Sequence, residues 1–448
     1  MLGSGISRQV ALPWNMRILF SFLASALAFS QTPAVQTTVL KASRLFDGAS
    51  ETLISPAVIV IEGTRIKAVG ANIATPPGAT VINLGDATLM PGFMDAHSHL
   101  SFEYPVDFNQ TDLDSLRLSI PERTLRRVPD VKATLMAGFT TVRDLGSSDF
   151  MDVGLRNAIR AKSIQGPRML VAVNAIGSTG GHCDGLAGFR FNLFGRESGI
   201  PDGAADSPAE FRKAVRYAVK YGADVIKTCA TGGVLSPTDE VDTPQLTQEE
   251  LNALVDEAHA LHKKAAAHAH GAEGAKRAIR AGIDSIEHGS FLDAEAFDLM
   301  KSHNTVLVPT LMAAKGLRER IRGGFYLPPL IKVKAEAAMA AIENAVRLAV
   351  SKNVRIGLGT DTSVYPYARA PEEFGELVRY GLKPIDALRA GTSVDAELLG
   401  IAERLGTLSV GKIADIVAVP GNPLSDIHVT ERVFFVMKDG EIFRNDKR

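Results

Sequence analysis

Two cysteines in 448 residues leave nothing from which to build a disulfide scaffold or a cysteine-rich zinc module. Aromatic side chains make up only 6% of the chain, and 49 basic against 50 acidic groups leave a net charge of −1. Nucleic acid or an anionic membrane surface calls for a basic excess to neutralise phosphate, so the charge balance argues against both as partners. Beyond the first thirty positions no apolar run is long enough to span a bilayer. What is present is ordinary globular composition, 46% hydrophobic and 22% charged, with 40 glycines that suit many tight strand–loop–helix junctions. The length fits two or three domains, or one α/β barrel with additions.

Residues 1–30 read as a secretory signal peptide. Arg17 precedes the apolar run Ile18 to Ala28, Ala28-Phe29-Ser30 supplies a small-x-small cleavage pattern, and Gln31-Thr32-Pro33 breaks the helix. A plain anchor helix is the alternative, and Met16 is an alternative start. The expectation is an exported protein, periplasmic or secreted, with no membrane attachment after cleavage.

Residues 31–90 read as short strands and turns, with a hairpin signal where Val58-Ile59-Val60-Ile61 meets Glu62-Gly63 before Ile66-Lys67-Ala68-Val69. Residues 402–448 look alike, through Ile416-Val417-Ala418-Val419 and Val433-Phe434-Phe435-Val436. The two ends are expected to form one composite β domain, a small β-sandwich. Between them, residues 91–401 alternate apolar runs with amphipathic helices such as Gln248–Lys263, Ala272–Ala281 and Ala335–Ser351. The runs end at Asp95-Ala96-His97, Arg143-Asp144, Val173-Asn174, Ile226-Lys227, Ala267-His268, Glu287-His288, Pro309-Thr310 and Thr360-Asp361. This is the order of an α/β fold of the (β/α)8 TIM-barrel kind. A doubly wound sheet would gather its ligand groups at one switch point, whereas here polar residues end most strands. The helix-poor stretch from Gly177 to Asp206 reads as an active-site loop.

His97 and His99, two apart at a strand end, point to the same side and can share an ion, although two hydrogen-bonded loop histidines fit the pair alone. His268, His288 and Asp361 recur at other strand ends, and the combined imidazole–carboxylate set suits zinc, with iron, cobalt or manganese as alternatives. Lys227 has no lone pair as an ammonium. It is a carboxylate binder, a modified ligand or a lysine snorkelling to the rim. His270 lies on the strand face of His268. His182, in Gly180-Gly181-His182-Cys183, lies on the long loop. His259, His262, His303 and His428 read as surface residues. Arg143-Asp144 reads as a structural ion pair or a support for the site, and Thr231-Gly232-Gly233-Val234 as a turn able to bring backbone N–H groups near substrate. Cys183 and Cys229 are expected as buried thiols, with a disulfide as the alternative that export permits.

Pro91-Gly92-Phe93-Met94-Asp95-Ala96-His97-Ser98-His99 resembles the strand-1 signature of the amidohydrolase superfamily. Ile226-Lys227, Ala267-His268-Ala269-His270-Gly271, Glu287-His288-Gly289 and Gly359-Thr360-Asp361 match its further ligand positions in order. Gly411-Lys412-Ile413-Ala414-Asp415 resembles the strand that returns to the β domain. Within the superfamily the chain is similar to metal-dependent dipeptidases and carboxypeptidases of the Xaa-Pro dipeptidase and imidazolonepropionase-like group, near the ochratoxin-hydrolysing amidohydrolases. The resemblance implies two divalent metals, best matched to zinc. His97, His99 and Asp361 would hold one, His268 and His288 the other, and a carbamate on Lys227 would bridge them. It further implies a metal-bridging hydroxide as nucleophile and Asp361 as the proton-transferring residue; His270, on the strand face of His268, is a candidate for contact with the substrate or the tetrahedral oxyanion, with a hydrogen-bonded supporting role as the alternative. The Gly-Gly-His segment resembles the group's substrate-loop motif, which makes His182 a candidate for meeting a substrate carboxylate or carbonyl, with a structural loop histidine as the alternative. Imidazolonepropionases proper do not use this lysine, so Lys227 counts against that activity.

Tyr367-Ala368 stands where many relatives carry a His-Gly pair after the strand-8 aspartate, beside the substrate pocket, so specificity is not carried over from any one relative; Tyr367 is a candidate substrate contact, and Arg369 is a candidate partner for a substrate carboxylate, with a solvated loop arginine as the alternative. The function expected is hydrolysis of the amide bond of small dipeptides or N-acyl amino acids, ochratoxin-type amides included. A cyclic amidase, lactonase or esterase on the same metals is the alternative, and a non-catalytic binding barrel the remote one. A homo-oligomer is expected by analogy with relatives.

Overall fold

The computed structural model describes residues 36–446, so the signal peptide expected over 1–30 lies outside the described residues. The chain opens with strands β1 (Thr37–Ala42), β2 (Arg44–Leu45), β3 (Ala57–Glu62), β4 (Arg65–Gly70), β5 (Thr80–Asn83) and β6 (Ala87–Pro91). β3 and β4 form the antiparallel hairpin read from the sequence, within a four-stranded sheet of order β4-β3-β1-β5.

The middle supplies β7 (Phe93–Ser98), β8 (Phe139–Asp144), β9 (Arg168–Val171), β10 (Ala175–Ile176), β11 (Val225–Cys229), β12 (Lys264–Gly271), β13 (Ser285–Phe291) and β14 (Val306–Val308). These make two parallel sheets, β7-β8-β9 and β10-β11-β12-β13-β14. Burial on both faces explains their composition: β7, β8 and β11 are buried at every position. The chain closes with β15 (Ile416–Pro420), β16 (Phe435–Lys438) and β17 (Glu441–Asn445). They join strands from the other end in a sheet of order β17-β16-β15-β6-β2, with β15 antiparallel to β6. Leu40, Ile59, Leu89, Ile416, Phe435 and Met437, drawn from both terminal sheets, bury together in one apolar cluster.

Several of the helices between the parallel strands begin at a capping side chain. Ser207 Oγ accepts from Glu210 N at 3.3 Å, and Thr247 forms a capping box with Glu250. Asp293 Oδ1 accepts from Ala296 N at 2.9 Å. Phe211, Ala214, Val215 and Ala218 recur at helical spacing and turn one face of helix Pro208–Lys220 into the core. Each such buried Phe or Val contributes roughly 1.5–3 kcal/mol. Among the described residues no helix is long and apolar enough to cross a membrane.

Two sequence expectations shift here. The run expected to end at Val173-Asn174 is split into β9 and β10, with Val173 in the left-handed region at φ 75°. The run ending at Asp361 is not a regular strand; a single bridge pairs Ile356 with Leu307. Its backbone still bonds to both neighbours. Gly357 N donates to Leu307 O at 2.9 Å, Ala96 N to Leu358 O at 2.8 Å, and Asp361 N to His97 O at 2.7 Å. Gly359 permits this approach, since a Cβ there would lie 2.3 Å from Val308 Cγ1 and 2.7 Å from His97 Cβ.

The stretch from Gly177 to Asp206 is a loop with one short 3-10 turn, Ile200–Asp202. Gly177 N donates to Gly203 O at 2.7 Å and closes its base. Cys183 and Cys229 form a disulfide, their Cα atoms 5.8 Å apart, which corrects the expectation of two free thiols. The loop folds back over the end of β11, a contact between positions 46 residues apart that no local pattern could reveal.

Candidate active site

His97 lies near the end of β7, next to its last residue Ser98, and the turn beyond carries His99. His97 Nδ1 donates to Glu287 Oε2 at 2.8 Å, and His99 Nδ1 donates to Gly146 O at 3.1 Å. Each bond pins a proton on Nδ1 and leaves the lone pair on Nε2. Both Nε2 atoms face Asp361 Oδ1, at 3.5 Å from His97 and 3.4 Å from His99. The three residues make a group whose ligand atoms all lie within 4.8 Å of one another. Asp361 holds φ 51°, a left-handed conformation that costs about 1–3 kcal/mol and is stabilised by the packing around it. His288 (φ 69°) and Thr310 (φ 50°) are held similarly.

The second group of imidazoles comes from β12 and β13. His268 Nε2 donates to Gly232 O at 3.0 Å, which leaves Nδ1 as its lone-pair atom. His288 Nδ1 and Thr310 Oγ1 are hydrogen-bonded at 2.7 Å. Ring centroids lie 4.8 Å apart for His268 and His288 and 4.9 Å apart for His97 and His288. His270 Nδ1 is 2.9 Å from Ser290 Oγ, and its ring stacks on His288 at 5.0 Å. The His182 ring lies 4.3 Å from that of His268. All of these, with Lys227 and Asp361, line one cavity of about 500 Å³. Leu317, Met339 and Ile342 give it an apolar side.

Burial dominates the electrostatics. It lowers the pKa of His97, His268 and His288 well below the usual histidine value, and neighbouring cations and imidazoles add to the effect. His99 and His182 are lowered to about 4 and His270 to about 3, again chiefly by burial. Burial pulls Lys227 down to about 8 against the pull of Glu287 and Asp361, and it pushes Asp361 up to about 6 against Lys227. A set of neutral imidazoles with aimed lone pairs, beside a carboxylate and a buried lysine, has the chemistry of a divalent-metal site.

Some residues take other places. Tyr367 is buried, and its hydroxyl bonds the backbone carbonyls of His99, at 3.0 Å, and Phe102. Arg369 is held by Glu319 at 2.7 Å and Glu372 at 2.8 Å. Neither is among the residues that line the cavity; Tyr367 supports the His99 turn, and Arg369 joins Glu319 to Glu372. Arg143 pairs with Glu287 at 2.9 Å rather than with Asp144. His259, His262, His303 and His428 are exposed, in agreement with the sequence reading.

Glu287 and Asp95 belong to the strand-end motifs, yet the sequence reading gives neither a role. Glu287 bridges Arg143 and His97 from a fully buried position. Asp95 Oδ1 accepts from His97 N and Thr360 N, both at 3.0 Å, joining β7 to the Asp361 segment. An acidic residue one or two positions ahead of a strand-end histidine, Asp95 before His97 and Glu287 before His288, is the one signal the sequence holds for them.

With this geometry in hand, comparison with known proteins is direct. The amidohydrolase family pattern matches residues 88–443. The ochratoxinase of Aspergillus niger is 30% identical over 437 residues, covering 93% of this chain and 89% of that one. A solved Xaa-Pro dipeptidase with methionine in its active site superposes with a TM-score of 0.86 at 37% identity, over 92% of this chain and 100% of that one. A prolidase complexed with N-methylphosphonate-L-proline gives 0.83 at 31% identity, over 92% and 100% of the two chains. The chain belongs to the amidohydrolase family, among its dipeptidase-like members. It is a hydrolase of amide or peptide bonds.

Proposed function

We propose that this protein is a metal-dependent amidohydrolase that cleaves small dipeptides or N-acyl amino acids at the amide bond, ochratoxin-type amides included. The observation that carries the reading is the convergence of His97, His99 and Asp361 with Lys227, His268 and His288 around one cavity. In this reading His97, His99 and Asp361 hold one divalent metal and His268 and His288 a second, zinc being the best match to the donors. Lys227, if carboxylated on Nζ, would supply anionic oxygen ligands to both. Bound there, the metals polarise the scissile carbonyl and lower the pKa of water.

The chain's own groups do the rest. Asp361, its pKa raised to about 6, takes a proton on a carboxylate oxygen and returns it to the leaving nitrogen. His182 and His270 orient the substrate's polar groups from the cavity wall. Leu317, Met339 and Ile342 receive an apolar side chain and exclude water. The backbone bonds linking β14, the Asp361 segment and β7 favour a closed (β/α)8 barrel, and the shared terminal core favours a β-sandwich beside it. The apolar run Ile18–Ala28 and the Cys183–Cys229 disulfide favour export to an oxidising compartment. Assembly into a homo-oligomer is carried over from relatives by analogy.

The test is amine release from a library of dipeptides and N-acyl amino acids, N-aroyl phenylalanine among them, after reconstitution with zinc and bicarbonate. Turnover confined to one class of C-terminal residue supports the amidase. Silence on every amide, with turnover of lactones or esters by the metal-loaded protein, overturns it. A Lys227→Ala variant as active as the parent overturns the bridged site.

A further inference from the structure

His182 is held by a polar network that reaches well outside the metal-ligand group. Its Nδ1 lies 2.9 Å from Ser236 Oγ, and the Ser236 hydroxyl donates to Asp239 Oδ1 at 2.6 Å. A carboxylate only accepts, and a hydroxyl has a single proton to give. Ser236 therefore accepts from His182, whose Nδ1 carries the hydrogen. The same carboxylate holds the histidine a second way: Gln245 Nε2 donates to Asp239 Oδ2 at 3.0 Å, and Gln245 Oε1 accepts from His182 N at 3.0 Å.

Asp239 is fixed in turn. Lys334, on helix Pro329–Ser351, donates to Asp239 Oδ1 at 3.1 Å and to the carbonyls of Ser236 and Asp239 at 2.6 and 2.9 Å. The Lys334 and Asp239 side chains are only 3% and 6% exposed. Gly233 leaves room for the ring that no side chain would: a Cβ there would sit 2.1–2.5 Å from His182 ring atoms. The Gly232-Gly233 pair thus makes space for one histidine and gives a carbonyl to another, His268.

We propose that Asp239 is a positioning residue which, through Ser236 and Gln245, holds His182 in the substrate cavity with Nδ1 protonated and Nε2 open to the ligand. Nε2 has no partner among the described residues, and His182 lines the cavity wall. It offers a lone pair in the neutral ring and an N–H in the protonated one. Helix Pro329–Ser351 also supplies Met339 and Ile342 to the cavity. Lys334 therefore links the wall that meets the substrate's apolar part to the histidine that meets its polar part. The substrate contact rests on the amidase reading; the hydrogen-bond relay does not.

The experiment has two arms on the full chain. With 15N-histidine label, the parent shows a slowly exchanging imidazole Nδ1–H signal that vanishes in His182→Ala and Ser236→Ala and survives in Ser236→Thr. A parent without that signal, or a Ser236→Ala protein that keeps it, overturns the proposal. On the metal-loaded enzyme, Ser236→Ala and Asp239→Asn each lower kcat/KM by about tenfold or more at unchanged metal content. Both losses disappear when the substitutions are made in a His182→Ala background. Losses that remain in full in that background overturn it. An enzyme silent on all amides defeats the amidase reading alone, and the spectrum still decides the relay.

Discussion

Glu287 shows how much a single side chain can carry in this protein. It is fully buried, accepts from His97 Nδ1 at 2.8 Å and pairs with Arg143 at 2.9 Å. Removing one member of a buried pair strands the other, at about 3–5 kcal/mol. A Glu287→Gln substitution also replaces the anion that fixes the His97 tautomer, and losses of that kind cost about 10–100-fold in metal affinity. The expected outcome is a lower melting temperature together with weaker metal retention, checked by thermal unfolding and by metal analysis after dialysis against chelator. A variant as stable and as well loaded as the parent would show that Arg143 and His97 do not depend on this carboxylate.

Between elements, the Cys183–Cys229 disulfide clamps the long loop to the strand that carries Lys227. Closing a loop of 46 residues is worth about 4 kcal/mol in the chain-entropy account. Replacing both cysteines with serine is therefore expected to lower the unfolding free energy by about 2–4 kcal/mol. Denaturant melts with and without reductant measure this, and the serine variant should be indifferent to reductant. Because His182 adjoins Cys183, substrate affinity should weaken as well, read as a rise in KM with smaller change in kcat. An unchanged melt on reduction would mean that the hydrogen bonds at the loop base hold it without the bridge.

Across the whole molecule, burial of acidic groups sets the pH response. Glu373 accepts backbone N–H bonds from Leu311 at 2.9 Å and Met312 at 2.7 Å. Burial nonetheless raises its pKa from 4.5 to about 8. The folded state then keeps a proton that the unfolded chain has already lost. Stability contributed by this group is full below pH about 4.5 and falls as pH rises through about 8. Unfolding free energies measured between pH 5 and 8 should decline from this source, and Glu373→Gln should flatten that part of the profile. A profile identical in the variant would place the buried proton elsewhere.

The candidate ligand residues are legible in the sequence because strand ends are local. His97, His99, Lys227, His268, His288 and Asp361 each terminate an apolar run, and parallel strands bring such ends together. What the sequence could not state depends on distance along the chain. The Cys183–Cys229 bridge, the Arg143–Glu287 pair and the Asp239–Ser236–His182 relay all join segments that only tertiary packing brings close. Tyr367 and Arg369 are not among the residues lining the cavity, because nearness in sequence to Asp361 does not decide which way a side chain points. The sequence by itself determined which residues could hold a metal, since that depends on residue type and strand period. Tertiary structure decided which nitrogen of each histidine is free and what holds it there, because hydrogen-bond partners are set by packing in space.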